Sequence, residues 1–333
     1  MTGAPQDPAA DAPPVGAVLG GRYEVRGRLG AGGMADVLSV RERGTGRELA
    51  LKVLRPEVAA QPEAVERLRR EASILASIAH PTLVSVEASG TLQDGRVFLA
   101  MERLHGETLR DRMRRGPMAP AELAPILERA AEGLSAAHQR GVLHRDLKPD
   151  NLFLCEGGTP DAPQVKILDF GVSKVLGQDH LTRTGQIVGT PRYMAPEQLT
   201  AERDLDARVD VYALGVIAYE ALAGQPPFLA STPADLIVAV LHGVQVPLRS
   251  LRVDLPPGLE AVVMRAMHRD RETRMSSVDE LARAFAHHAR GPSPPARGGM
   301  RTDALGSMDV PPSAAPREGA RPPGLLPGTY GAL

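Results

Sequence analysis

Cysteine is almost absent from this sequence. Cys155 stands alone among 333 residues. That excludes an internal disulfide and fits a reducing cytosol, and a small core residue accounts for it without a redox role. Charge of one sign is lacking too. The 39 basic and 40 acidic residues leave a formal net charge of -1, so nothing favours nucleic acid or an anionic membrane as the main partner. Long apolar runs are also missing. Val209 to Leu222 is apolar nearly all round, yet it is too short, and too interrupted by Asp210, Gly215 and Glu220, to span a bilayer. No basic start followed by an apolar stretch marks a secretion signal, and the expected location is cytoplasmic. The histidines are scattered without ligand spacing, which argues against a zinc site. No internal repeat is found. Lysine is the scarcest charge, with Lys52, Lys148, Lys166 and Lys174 the only four among the 39 basic residues. Arginine serves wherever a generic cation suffices, so a surviving lysine marks a place where a compact ammonium suits better than a planar fork.

What is present is equipment for moving phosphate. His144-Arg145-Asp146-Leu147-Lys148-Pro149-Asp150-Asn151, followed after a turn and a strand by Asp169-Phe170-Gly171, can bring two carboxylates, a carboxamide and an ammonium to one phosphoryl group. Phosphoryl transfer asks a protein for positioning and charge neutralisation rather than covalent chemistry. Asp146 can accept or orient the attacking hydroxyl, Asn151 and Asp169 can hold Mg2+ through oxygen, and Lys148 can offset charge on the transferring group. Lys148, one of the four lysines, stands at one of these expected phosphate contacts.

Along the chain, residues 1–20 are rich in Pro, Ala and Asp without periodicity and read as a disordered leader. From Tyr23 to about Arg103 the pattern is mostly strands with one helix. Leu49, Leu51 and Val53 alternate with Ala50, Lys52 and Leu54, which puts Ala50 and Lys52 on one face of a strand. Between Pro62 and Ala79, Val65, Leu68, Ala72, Leu75 and Ala79 recur at helical spacing and place Glu71 beside the apolar stripe. The glycines at 30, 32 and 33 lie between two strands rather than before a helix, which argues against a dinucleotide fold and leaves backbone amides open to phosphates. The remainder to about Ala289 is mainly helical, with Leu123, Leu127, Ala130, Leu134 and Ala137 marking one amphipathic helix and Val209 to Leu222 a buried one. The last 43 residues hold nine Pro and eight Gly, a composition that builds no packed core.

Taken in order, the chain resembles the eukaryotic-like (Hanks-type) Ser/Thr protein kinase family, and its bacterial branch more closely, from about Arg22 to Ala289. The resemblance rests on Leu29-Gly30-Ala31-Gly32-Gly33-Met34-Ala35-Asp36-Val37, Ala50-Leu51-Lys52, Glu71, the two motifs above, Gly189-Thr190, Ala195-Pro196-Glu197, Asp210-Val211-Tyr212 and Arg274. It implies an α+β, two-lobed protein kinase fold. The small antiparallel-sheet lobe with one helix would cover 21–103 and the larger helical lobe 104–290, between the leader and a disordered 291–333 tail. It implies ATP with Mg2+, or Mn2+ in its place, and Ser/Thr acceptors on proteins, because Lys148 and Thr190 resemble the Ser/Thr rather than the tyrosine group.

By that resemblance Leu29, Gly30, Ala31, Gly32, Gly33, Val37 and Ala50 cover the nucleotide, and Lys52 contacts its α- and β-phosphates and pairs with Glu71. Met101 guards the inner pocket, and the backbone of Glu102 and Leu104 meets the adenine edge. Phe153 either floors the adenine or points into the lobe core. Ala35 replaces the third glycine of the family pattern, which implies a slightly stiffer loop. His144 packs under Phe170, Asp210 holds the catalytic loop through backbone amides, and Glu197 with Arg274 forms a buried ion pair. Thr182 and Thr184 fall in the activation segment, where a phosphate on either would meet Arg145 and transient self-association would allow transfer between two molecules. A catalytically dead binding module and a small-molecule phosphotransferase are the alternatives. The first requires loss of Lys52, Asp146, Asn151 or Asp169, all present, and the second lacks the 189–197 substrate segment.

Overall fold

The computed structural model describes residues 13–32, 35–170, 191–202, 204–243 and 245–289, with backbone alone at 63, 67, 70, 71, 75 and 76. Six antiparallel strands form the upper lobe: β1 (Val18–Leu19), β2 (Tyr23–Ala31), β3 (Ala35–Glu42), β4 (Glu48–Leu54), β5 (Val86–Thr91) and β6 (Val97–Glu102), in the order β1-β2-β3-β4-β6-β5. The alternation read in 49–54 has a physical outcome. Leu49, Leu51 and Val53 join Tyr23, Val25, Leu38 and Val40 in a core on one face of the sheet. Ala50 and Leu54 face the other way, into a core shared with Leu99, Met101 and helix α2 (Pro62–Ser77). Lys52 therefore points toward that second side, where α2 lies. Leu68 and Ala72 are buried and Val65 packs beside them, as the stripe predicts. A single turn, α1 (Pro56–Ala59), precedes α2. At four residues it is too short for periodicity to reveal.

One boundary differs from the sequence reading. Val18–Leu19, assigned by composition to the disordered leader, pairs with Glu24 and Tyr23 of β2. Gly20 and Gly21, both at positive φ, make the tight turn, and Gly16 and Ala17 exchange backbone hydrogen bonds with Val25. Backbone pairing against a ready sheet edge orders this stretch despite its Pro- and Ala-rich surroundings.

The lower lobe begins with β7 (Gly106–Thr108) and α3 (Leu109–Arg114), then α4 (Pro120–His138). A 3-10 turn at Pro149–Asn151 leads into β8 (Leu152–Thr159) and β9 (Ala162–Ile167), so two strands, not one, separate the two phosphate-handling motifs. The helices α5 (Pro196–Leu199), α6 (Arg208–Ala223), α7 (Pro233–His242), α8 (Leu248–Leu251), α9 (Pro257–Ala266) and α10 (Val278–Ala289) follow. Every residue of α6 from Val209 to Leu222 is buried, and Gly224 at φ 73° ends it in the left-handed conformation. Each fully buried Leu or Ile here contributes about 1.5–3 kcal/mol, so α6 is the spine of the lobe.

The lobes are joined at more than the chain crossing from β6 to β7. The segment Thr82–Ser85, which connects α2 to β5, lies against β9: Ile167 N donates to Thr82 O at 2.7 Å and Val84 N to Ile167 O at 3.2 Å. On its other side sits Gly133 of α4, where a methyl group would overlap the Thr82 hydroxyl and the Ile167 and Leu83 side chains.

Candidate active site

Asp210, fully buried on α6, organises the catalytic loop. Its Oδ1 accepts from Arg145 N at 2.9 Å, and its Oδ2 from His144 N at 2.9 Å and His138 Nε2 at 2.7 Å. Burial pushes its carboxyl up, but these donors outweigh burial and hold it below the ordinary carboxylate range. The loop needs such an anchor, because Arg145 sits at φ 61°, a left-handed conformation costing a non-glycine residue about 1–3 kcal/mol. Gln198 Nε2 adds a bond to Arg145 O at 2.9 Å.

His144 is fully buried, and its ring lies 4.8 Å from that of Phe170. Burial pushes its pKa down against the opposing pull of Asp210 and Leu168. The neutral ring bridges two motifs, with Nε2 donating to Leu168 O at 3.1 Å and Nδ1 accepting from Asp146 N at 3.3 Å, a tautomer assigned from these partners. Its place is structural, as expected.

The candidate catalytic residues stand on this scaffold. Lys148 Nζ reaches Asp146 Oδ2 at 3.1 Å. Asn151 Nδ2 donates to Asp146 O at 2.9 Å, which leaves Oδ1 as the acceptor atom of the carboxamide. Leu168 N donates to Asn151 O at 2.8 Å, fixing Asn151 and Asp169 relative to each other. From the other lobe Lys52 Nζ meets Asp169 Oδ1 at 2.8 Å. Burial pushes the Asp169 carboxyl up; the Lys52 charge and hydrogen bond win and hold it low, and half of its side-chain surface still meets solvent. Asp169 is also left-handed, at φ 45°.

In the sheet Val37 pairs with Lys52 and Ala50 with Met101; Ala50 and Met101 are buried, and Leu29 is more than a third exposed. Phe153 lies on β8 between Leu152 and Leu154, which pack into the lower core, and its cross-strand partner on β9 is Lys166. Gly30 and Ala31 end β2 and Gly32 follows it, as expected of a turn between strands, whereas Gly33 lies outside the described residues. Glu71 is on α2, but its side chain lies outside what is described, as do Thr182, Thr184 and Thr190. Among the described residues, no group of three His, Cys, Asp or Glu could hold a metal ion. A cation at Asn151 and Asp169 would therefore draw its other ligands from phosphate oxygens and water, the habit of Mg2+.

The Glu197–Arg274 pair closes at 2.6 and 2.8 Å with both side chains buried, and Arg274 also donates to the carbonyls of His268, Arg208 and Arg269. Several supports escaped the sequence reading. Asp36, buried beside the glycine turn, accepts from Arg28 at 2.6 Å and Arg55 at 3.2 Å. Arg110 joins Glu220 at 3.0 Å and Tyr193, and lies 3.4 Å from Asp150. Burial and Glu220 raise the Tyr193 phenol well above its ordinary value. Burial likewise pushes the Cys155 thiol up, which agrees with an inert role.

Residues 23–288 match the family model for the protein kinase domain. The chain belongs to the protein kinase family, in its bacterial Ser/Thr branch. It is 36% identical over 274 residues to the serine/threonine-protein kinase Pkn2 of Myxococcus xanthus, covering 81% of this chain and 32% of that protein. It is 35% identical over 284 residues to PknB of Mycolicibacterium smegmatis, covering 84% and 44%. This kinase domain thus spans from a third to under half the length of these relatives. The crystal structure of the Mycobacterium tuberculosis PknI kinase domain superposes with a TM-score of 0.65 at 32% identity, covering 83% of this chain and all of that one. Kinase domains of this family use ATP and a divalent metal ion. Among the described residues no helix is long and apolar enough to cross a membrane.

Proposed function

We propose that the protein transfers the γ-phosphate of ATP to Ser or Thr hydroxyls of proteins. One observation carries the reading: Lys52 and Asp169, from different lobes, meet at 2.8 Å beside a loop that pins Asp146, Lys148 and Asn151. Adenine lies between Leu29, Val37 and Ala50 above and Phe153 below, its edge on the Glu102 and Leu104 backbone, with Met101 behind and Gly30 to Gly33 over the phosphates. Lys52 neutralises the α- and β-phosphates, with Glu71 as its partner in the active state. Asn151 and Asp169 would hold Mg2+, or Mn2+, which would supply positive charge to offset that of the phosphates. Asp146 orients the hydroxyl and accepts its proton as oxygen bonds to the γ-phosphorus and ADP leaves, while Lys148 offsets charge on the moving group.

A lone thiol and an ATP substrate suit a cytoplasmic setting, with the kinase domain starting by Val18, ahead of the expected 21, and ending near 290. A phosphate on Thr182 or Thr184 would bring about -1.5 to -2 charge within reach of Arg145, next to Asp146, and two molecules meeting transiently would install it. The test is transfer of labelled phosphate to a protein acceptor with and without Mg2+, alongside mass spectrometry of Thr182 and Thr184. Asp146→Asn and Lys52→Met should stay folded and lose about 10²–10³-fold or more in turnover. Near wild-type activity in either variant refutes these roles for Asp146 and Lys52. Equal phosphate on the threonines of the Asp146→Asn protein refutes self-modification.

A further inference from the structure

Among the described residues, Lys166 is the lysine that the phosphate chemistry leaves unexplained. It lies on β9, three residues before Asp169, and its ammonium meets Glu102 Oε1 at 2.6 Å and Leu83 O at 3.2 Å. Glu102 ends β6, where the chain crosses between lobes. Its Oε1 also accepts from Ser85 N at 2.7 Å, and its own N donates to Ser85 O at 3.0 Å. The segment 82–85 is in turn bonded to β9 and packed closely against Gly133 of α4. One compact cation thus gathers the end of β6, the connection behind α2 and the strand leading to Asp169. A point charge meeting two acceptors from different segments suits lysine better than a planar fork, which gives this lysine a reason to persist in an arginine-rich chain.

We propose that Lys166 is a positioning residue for nucleotide recognition. It fastens the Glu102 side chain to the lower lobe and thereby holds the backbone groups of Glu102 and Leu104 ready for the purine edge. The proposal rests on the nucleotide reading of the cleft. The pair bridges β6 and β9 with its side chains mostly buried, at 20% and 27% exposure, so its role in the proposal is to hold the backbone in place. Preorganised groups bind more tightly because the ordering cost is met before the ligand arrives.

The experiment compares wild type, Lys166→Met, Glu102→Gln and the double variant by calorimetric titration with adenosine, Mg-ADP and Mg-tripolyphosphate. The expected result is adenosine and Mg-ADP weakened about three- to tenfold in each single variant, with tripolyphosphate affinity retained. The double variant should be no weaker than the weaker single, because the two residues act as one unit. Glu102→Gln is isosteric and keeps an acceptor for Ser85, so it decides the matter if Lys166→Met fails to fold. Unchanged adenosine affinity, equal loss for tripolyphosphate, or additive losses in the double variant each overturn the proposal. Wild type that binds none of the three overturns the nucleotide reading itself.

Discussion

Replacing Asp210 by Asn keeps the shape of the side chain and removes its charge, so the effect isolates what the carboxylate does. Three donors converge on its two oxygens, from Arg145 N, His144 N and His138 Nε2. A carboxamide has one oxygen and one NH2 group. With the oxygen toward Arg145, the NH2 faces the His144 N–H; with it toward His144 and His138, the NH2 faces the Arg145 N–H. Either way one buried backbone N–H is orphaned, which costs about 1–3 kcal/mol. The remaining bonds also lose their charge assistance. The sum is a destabilisation of about 2–4 kcal/mol, a fall of roughly 4–7 °C in Tm for a domain this size. Activity should fall further than stability alone requires, because these contacts hold Arg145 in its left-handed conformation, and Asp146 is the next residue. Denaturant unfolding gives the first quantity, and turnover at a temperature where both proteins are folded gives the second. Mg-ADP affinity should survive, since Lys52 and Asp169 are untouched. An Asn variant with wild-type Tm and wild-type turnover would refute the anchoring role.

Arg274→Met should cost about 3–5 kcal/mol in chemical denaturation, because it strands the buried Glu197 carboxylate. A loss under about 1 kcal/mol, the range of exposed pairs, would contradict the burial on which this rests. Acid should weaken the fold in two stages. The His144 pKa is lowered in the folded state, so below about pH 6.5 the unfolded chain takes up a proton that the folded one refuses, and stability falls as pH drops. Asp210, whose pKa is also lowered, contributes fully above the ordinary carboxylate range and loses that contribution as pH falls through its depressed value. Urea unfolding between about pH 8 and 5 should show a slope approaching 1.4 kcal/mol per pH unit at the lower end, and a flat profile would contradict a buried neutral His144.

Elements with strong periodicity are legible in the chain itself. The strand at Lys52, the helix bearing Glu71, α4 and α6 stand where spacing puts them, because a stripe or an alternating face is a local record of burial. The pairing of Glu197 with Arg274 and of Asp210 with the loop amides is legible too, through motif order. What stays hidden is non-local or brief. β1 is two residues held by a sheet edge, α1 is a single turn, and the second strand between the motifs lies in a Gly- and Pro-containing stretch. Asp36, Arg110 and His138 look like ordinary solvated charges in sequence, and only folding reveals which partners they meet. Lys166 lies between these cases, since the scarcity of lysine flags it without saying what it holds.

The burial of α6 on all sides has a consequence for amide exchange. Its backbone hydrogens have no route to solvent short of opening the lobe, so they should exchange with the free energy of global unfolding, among the slowest in the molecule. Asp210 rides on that helix, and the amides of His144 and Arg145 hang from it. The turn that carries Asp146 is a loop by geometry, yet its protection against exchange should be that of a core helix.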